Sequence, residues 1–321
     1  MSTEIYNGKY NGKYMKLRDW IPFDKLYWPY LSENPNAIPI LEKNLDKMVW
    51  SNLSENPNAI HILEKNMDKV GWKSLSRNPN AIHILEKNLD KLGKDCWDWL
   101  STNPNAIHIL EKNFDKLDED CFYWLSANPN AIHILENNFD KINWYNLSRN
   151  PNAIHILEKN FDKFDWDNLY VNPNAIHILE KNFDKLDEDC WYWLSSNPNA
   201  IPILEKNLDK LDQECWDNLS RNPNAIHILE NNMNKVHLDN LSRNPNAIHI
   251  LEKNLDKLDQ ECWYWLSTNP NIFTYDYEAM KNAMYKEGGF VEELMANRFH
   301  PKNMKKWNGW GFPTIHDNDD D

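Results

Sequence analysis

No stretch of this 321-residue chain approaches the roughly 20 consecutive apolar residues that a membrane-spanning helix needs. Met1 to Asp19 is polar and lacks the apolar segment of a secretion signal. Together these absences predict a soluble protein that does not enter a membrane and is not secreted. Positive charge is also scarce, with 35 Lys and Arg against 49 Asp and Glu, a net charge of −14. A protein that holds a polyanion by neutralising phosphates needs the opposite balance, so neither nucleic acid nor a bare anionic membrane is the expected partner. There is no glycine-rich phosphate loop, no Cys/His cluster at zinc spacing and no Ser-His-Asp set. The expectation is therefore no catalytic residue, no cofactor and no metal.

What is present is one word repeated. Asn128-Pro129-Asn130-Ala131-Ile132-His133-Ile134-Leu135-Glu136 is one of eleven copies, which start at Asn34, Asn56, Asn78, Asn103, Asn128, Asn150, Asn172, Asn197, Asn222, Asn244 and Asn269. The steps between them are 22 or 25 residues. A fixed period of this size marks a solenoid, in which each short unit is buried by its neighbours. The fold class predicted is all-α, a solenoid of short two-helix units (one α, one short α or 3₁₀) with N- and C-terminal caps. The predicted organisation is a flexible N-terminal arm or short hairpin over 1–16, the repeat solenoid over 17–271, a C-terminal helical cap over 272–314 and an acidic tail over 315–321. About ten steps of roughly 9 Å would make an open array on the order of 90 Å long, with the atypical Leu17–Leu31 segment covering its first end.

Within a unit, Ala131, Ile132, Ile134, Leu135 and Phe139 fall at helical spacing. The His133 position is Pro39 and Pro202 in two other units, and proline is tolerated only in the first helical turn. That places the helix start at the second Asn of the word, Asn130, as N-cap. Asn138 is expected as a left-handed C-cap. A second segment reads aromatic-x-x-Leu-Ser and puts the aromatic and Leu on one helical face. In the 22-residue units it has room for about one turn, expected to be 3₁₀. The 25-residue units insert acids, as at Asp118-Glu119-Asp120, where a helix start favours negative charge.

The five cysteines, Cys96, Cys121, Cys190, Cys215 and Cys262, each precede an aromatic in a long unit. Equivalent positions in stacked units stand roughly 8–10 Å apart, whereas a disulfide needs Cα atoms within about 7 Å. Free, buried thiols in a reducing compartment are expected. The step pattern also hides a longer period: Asn34, Asn128 and Asn222 are 94 residues apart, as are Cys96 and Cys190. Copying of a four-unit block within the gene suits selection for a long surface better than for one active site.

A histidine ladder, His61, His83, His108, His133, His155, His177, His227 and His249, suggests metal or pH sensing. Its rungs are spaced too widely to converge on one ion, and Pro39, Pro202 and Thr274 replace it, so it reads as a structural first-turn position. The repeat-wide tryptophans read as core. Positions that vary from unit to unit are free of packing and form the candidate contact face. They include Tyr123, Tyr145, Tyr192 and Tyr264 after the aromatic, Arg149, Arg221 and Arg243 after the Ser, and the second tryptophans Trp99, Trp124, Trp193 and Trp265. Tyr, Trp and Arg are the residues enriched in interface hot spots.

The word Leu-Ser-x-Asn-Pro-Asn-Ala-Ile-His-Ile-Leu-Glu-Lys-Asn resembles a repeat family of uncharacterised proteins in giant DNA viruses of the mimivirus kind. The opening Leu17-Arg18-Asp19-Trp20-Ile21-Pro22 and the ending Asn269-Pro270-Asn271-Ile272-Phe273, then Tyr275 to Glu278 and His300-Pro301, match that family in outline. The resemblance implies a viral protein of the host cytoplasm or the virion, and it brings no catalytic residues. The Asn-Pro turn and the alternation of α and 3₁₀ segments also resemble the bacterial leucine-rich repeat variant. The expected function is a non-catalytic scaffold for protein–protein interaction, a virion component or host-interaction factor. The alternative is an enzyme or nucleic-acid-linked activity in the C-terminal cap, with His300, Glu292 and Glu293 as its residues.

Overall fold

In the computed structural model, which describes residues 14–182 and 189–285, a unit is built from two short α-helices, joined in most of the described units by a 3₁₀ turn. The Ile-His segment forms an α-helix such as Ile132–Asn137. A 3₁₀ turn follows at the Xaa-Asp-Lys sequence, here Phe139–Lys141. The aromatic segment is then a second α-helix, here Trp144–Ser148. Pro39 and Pro202 stand in the first turn of their helices, where a missing N–H costs no helical hydrogen bond. The array is an all-α solenoid, and its units stack in sequence order.

Three local expectations need correction. The aromatic segment is α-helical in the short units, as at Trp50–Glu55 and Trp72–Arg77. The residue before the aromatic is extended, and its carbonyl accepts the full α-type bond, Leu53 N–H to Val49 O at 2.9 Å. The 3₁₀ geometry falls instead on the Xaa-Asp-Lys turn. Second, the helix N-cap is Ala131 and not Asn130, and no side chain caps it. The first Asn accepts from the second, Asn130 N–H to Asn128 Oδ1 at 3.0 Å. The amide ends of both then leave the unit. Asn128 Nδ2 donates to the carbonyls of Ser101 and Asn103, and Asn130 Nδ2 to that of Pro104. Third, Asn138 is not left-handed, at φ −133°. Its side chain instead donates to the Ile134 carbonyl at 2.8 Å, satisfying an end group of the helix.

The long units behave as the inserted acids imply. Asp118, Asp212 and Asp259 are N-caps whose carboxylates accept from the N–H of Cys121, Cys215 and Cys262. All five cysteines are buried and outside any disulfide. The extra turn also covers the aromatic: Trp97, Trp191, Trp216 and Trp263 are buried, whereas Trp50, Trp72, Trp144 and Trp166 in short units are only partly so. A lysine of the next unit lies over many of these rings, as Lys69 over Trp50 and Lys235 over Trp216, each at 4.8 Å. Its stem covers apolar surface while the ammonium stays wet.

The two ends of the array meet. Asn34 Nδ2 donates to the carbonyls of Ser267 and Asn269, both at 3.0 Å, and Asn36 Nδ2 to that of Pro270. Tyr27 N–H donates to Ser267 Oγ at 2.9 Å, the counterpart of Asn143 N–H to Ser126 Oγ. Lys25 covers Trp263 at 5.0 Å. Each repeats a contact that successive units make elsewhere in the array. Phe23–Lys25, in the segment expected to cap an open end, forms the 3₁₀ turn of a unit, and that unit's Asn-Pro-Asn word sits at Asn269. Strand β1 (Met15–Leu17) pairs with β2 (Phe273–Tyr275) to bind the two halves, helped by Arg18 N–H to Ile272 O at 2.9 Å. The repeat array is thus a closed ring of eleven units, and the open array on the order of 90 Å is not what forms.

Closure decides which layer faces inward. Most successive aromatic helices approach closely, whereas successive Ile-His helices stand further apart. In a closed ring the tighter layer has the smaller circumference, so the aromatic helices form the inner wall. Eleven helices spaced by roughly 9 Å, less the thickness of the helices themselves, leave a central opening on the order of 20 Å across.

The chain divides into two compact units, Met1–Thr274 and Tyr275–Asp321. The second opens with a helix, Tyr277–Tyr285. The remainder of the expected cap, with His300, Glu292, Glu293 and the acidic tail, lies outside the described residues, as does most of the N-terminal arm. Among the described residues no helix is long and apolar enough to cross a membrane.

Candidate functional site

On the aromatic helix, the aromatic and the Leu and Ser three and four positions later point to the core, as Trp97, Leu100 and Ser101 do. At about 100° per residue, the positions one, two and five after the aromatic lie on the opposite side. In the closed ring that side is the inner wall. All eleven candidate contact residues occupy these positions. Tyr123, Tyr145, Tyr192 and Tyr264 come first after the aromatic and are 37%, 50%, 37% and 39% exposed. Trp99, Trp124, Trp193 and Trp265 come second and are half-buried, while Arg149, Arg221 and Arg243 come fifth.

The structure gathers these residues into patches. Trp99 stacks on Trp124 of the next unit at 5.3 Å, and Tyr123 meets Trp124 edge-on at 5.1 Å. Arg77 lies over Trp99 at 4.6 Å, and its guanidinium pairs with Glu55 at 3.0 Å. A second patch spans the ring seam. Trp265 stacks on Tyr30 at 5.1 Å, Tyr264 lies against Tyr27 at 4.8 Å, and the Arg243 guanidinium lies over Trp265 at 3.1 Å. Arg221 donates from Nε to Asn240 Oδ1 at 2.8 Å. Tyr192 and Trp193 form a third, smaller pair at 4.9 Å. Tyr145 and Arg149 are exposed without joining a patch.

The sequence reading missed Tyr27, Tyr30, Arg77 and Asn240. Tyr27 and Tyr30 were placed in an end cap, and only closure brings them to Trp265. The other two follow a rule legible in the chain: the fifth-position side chain of one unit reaches the second-position side chain of the next. Glu33 to Asn52, Arg77 to Trp99, Arg221 to Asn240 and Arg243 to Trp265 all obey it.

The histidine ladder lies on the outer layer as hydrogen-bonded rungs. Each His Nε2 meets the Glu of the preceding unit, from His61 with Glu42 at 2.9 Å to His249 with Glu230 at 2.9 Å. These pairs bridge the wider spacing of the Ile-His helices with long side chains, and every member is about half exposed. Among the described residues the one grouping close enough to share an ion is Asp98, Asp118 and Cys121. Burial pushes the Cys121 thiol up to about 12, so little thiolate is available there at neutral pH. Beside it a groove of about 580 Å³ is lined by Asp118, Glu119, Asp120 and Asp140 with Lys141 and Tyr123. Lys94 already bridges two of its acids, Asp118 at 3.1 Å and Asp120 at 2.9 Å.

No protein-family model, curated protein or solved structure matches this chain.

Proposed function

We propose that the protein is a non-catalytic scaffold that binds another protein through the inner wall of its ring. The observation that carries this is the segregation of side chains. The tyrosines, second tryptophans and the arginines without a carboxylate partner all fall on the side of the aromatic helix turned away from the core, the side that lines the central opening. Tyr and Trp supply large contact area at low entropic cost, and Arg adds directional hydrogen bonds. An opening on the order of 20 Å admits a helix or an extended segment of a partner, and a helix with its side chains is about 10–12 Å wide. The net charge of −14 opposes a nucleic acid in that place. On the repeat word alone, the proposed setting is a giant virus, as virion component or host-interaction factor.

The experiment is affinity capture of the tagged full chain from the cells in which it is made, followed by mass spectrometry. It is repeated with Tyr123→Ser, Tyr145→Ser and Tyr192→Ser combined. Contact spread over several units predicts that the triple variant, still folded, loses the partner. Equal retention would move the contact face away from the inner wall.

A further inference from the structure

The Arg77 and Arg243 sites are two versions of one arrangement. In the first, the guanidinium lies over Trp99 and the residue at the same position of the preceding unit is Glu55, which supplies a carboxylate at 3.0 Å. In the second, the guanidinium lies over Trp265, and the corresponding residue of the preceding unit is Arg221. The carboxylate has been replaced by a second cation. Arg221 turns to Asn240 Oδ1. Arg243 Nε is enclosed and has no acceptor. Among the described residues neither arginine has a carboxylate within ion-pair distance. Burial, and then the neighbouring Arg221 charge, push the Arg243 guanidinium below its usual range. Two neighbouring cations, one partly desolvated with its Nε lacking an acceptor, repel each other and favour an anion placed between them. Asp239 and Glu261 act on Arg243 only through space, and neither reaches ion-pair distance.

We propose that Arg221 and Arg243, with Trp265 as platform, form a carboxylate-binding site on the inner wall, which takes an Asp or Glu side chain of an extended acidic segment of the partner. The Glu55 carboxylate at the Arg77–Trp99 site shows the occupied form within the same molecule. A planar guanidinium held flat on an indole keeps its N–H edge free for a planar acceptor. A phosphate ester would also be attracted, but Asp239 and Glu261 act on Arg243 as nearby negative charges, which penalises a dianion more than a single carboxylate. Tyr30 and Tyr264 beside the site offer aromatic surface to residues flanking the acid. This inference rests on the inner wall being the contact face.

The probe is fluorescein-labelled hexaglutamate, titrated by fluorescence anisotropy against the full chain, with hexaglutamine as control. Wild type should bind hexaglutamate in preference to hexaglutamine. Arg243→Ala and Arg221→Ala should each weaken binding about ten-fold or more, as expected for a lost charge-assisted hydrogen bond. Arg243→Lys, which keeps the charge and loses the fork, should weaken it nearly as much. Lys159→Ala, an exposed cation just past an Ile-His helix of the outer layer, should change it less than about two-fold because distant charges are screened. Unchanged urea midpoints keep a folding defect out of the comparison. Equal affinity for wild type and both alanine variants would overturn the site. So would equal losses from Lys159→Ala, and so would displacement of the probe by inorganic phosphate at lower concentration than by glutarate. None of these outcomes touches the tyrosine triple variant, so the scaffold reading stands or falls separately.

Discussion

The side-chain amide of Asn34 donates to the Ser267 and Asn269 carbonyls, 233 and 235 residues away, at 3.0 Å each. Asn150 makes the same two bonds to Ser126 and Asn128 in the middle of the chain, at 3.0 and 2.9 Å. That identity makes closure testable. Asn150→Ala removes one donor from each of two buried carbonyls and should cost about 2–4 kcal/mol in a urea titration. In a closed ring Asn34→Ala should cost nearly as much. A near-zero loss at Asn34 alone would mean that the ends are apart in solution.

Closure also predicts proximity. With Tyr27 and Tyr264 in ring contact, the double variant Tyr27→Cys, Tyr264→Cys should be linked by a short bismaleimide within a single dilute chain. The native thiols are buried and should react slowly. Mass spectrometry of the digest reads the link, and its absence at full labelling would contradict the seam.

The buried aromatics should differ by unit type. Trp216 is 1% exposed, and Trp216→Ala should cost about 3–5 kcal/mol. Trp144, in a short unit and only partly buried, should cost about 1–3 kcal/mol when cut to Ala, because less area leaves water. Trp216 Nε1 has no acceptor, so Trp216→Phe should lose much less than the alanine variant.

The capping aspartates set an acid limb. Hydrogen bonds from the Cys121, Cys215 and Cys262 N–H groups hold the Asp118, Asp212 and Asp259 carboxyls below the usual range. A carboxyl depressed in the folded state contributes stability that is present above its unfolded value of about 3.9 and is lost as pH falls through the lower folded value. Asp212→Ala should therefore cost on the order of 1 kcal/mol at neutral pH. The gap to wild type should close as pH drops below about 4. A gap unchanged at acid pH would show that the carboxylate is not the cap.

Much of this molecule was determined by its sequence alone. The Asn-Pro-Asn word fixed the unit and its count, the apolar spacing fixed the two helices, and the positions free of packing marked the face that carries Tyr123, Trp265 and Arg243. Such features are local, repeated in every unit and enforced by nearest neighbours. The destination of the Asn amides was not legible, because a side chain able to cap its own helix can equally reach the next unit's carbonyls, and only stacking distance chooses. Closure was decided by tertiary structure for the same reason. A rotation of about 33° per unit, the value that brings eleven units full circle, is a small difference in width between two packed layers. The inner layer is drawn close by Leu100, Ser101 and their equivalents. The wider outer layer is bridged by long side chains such as His133 and Glu111. No single unit encodes that difference, yet it accumulates until Trp20 meets Trp263 and Tyr30 meets Trp265, and it turns the variable face of a solenoid into the wall of a ring.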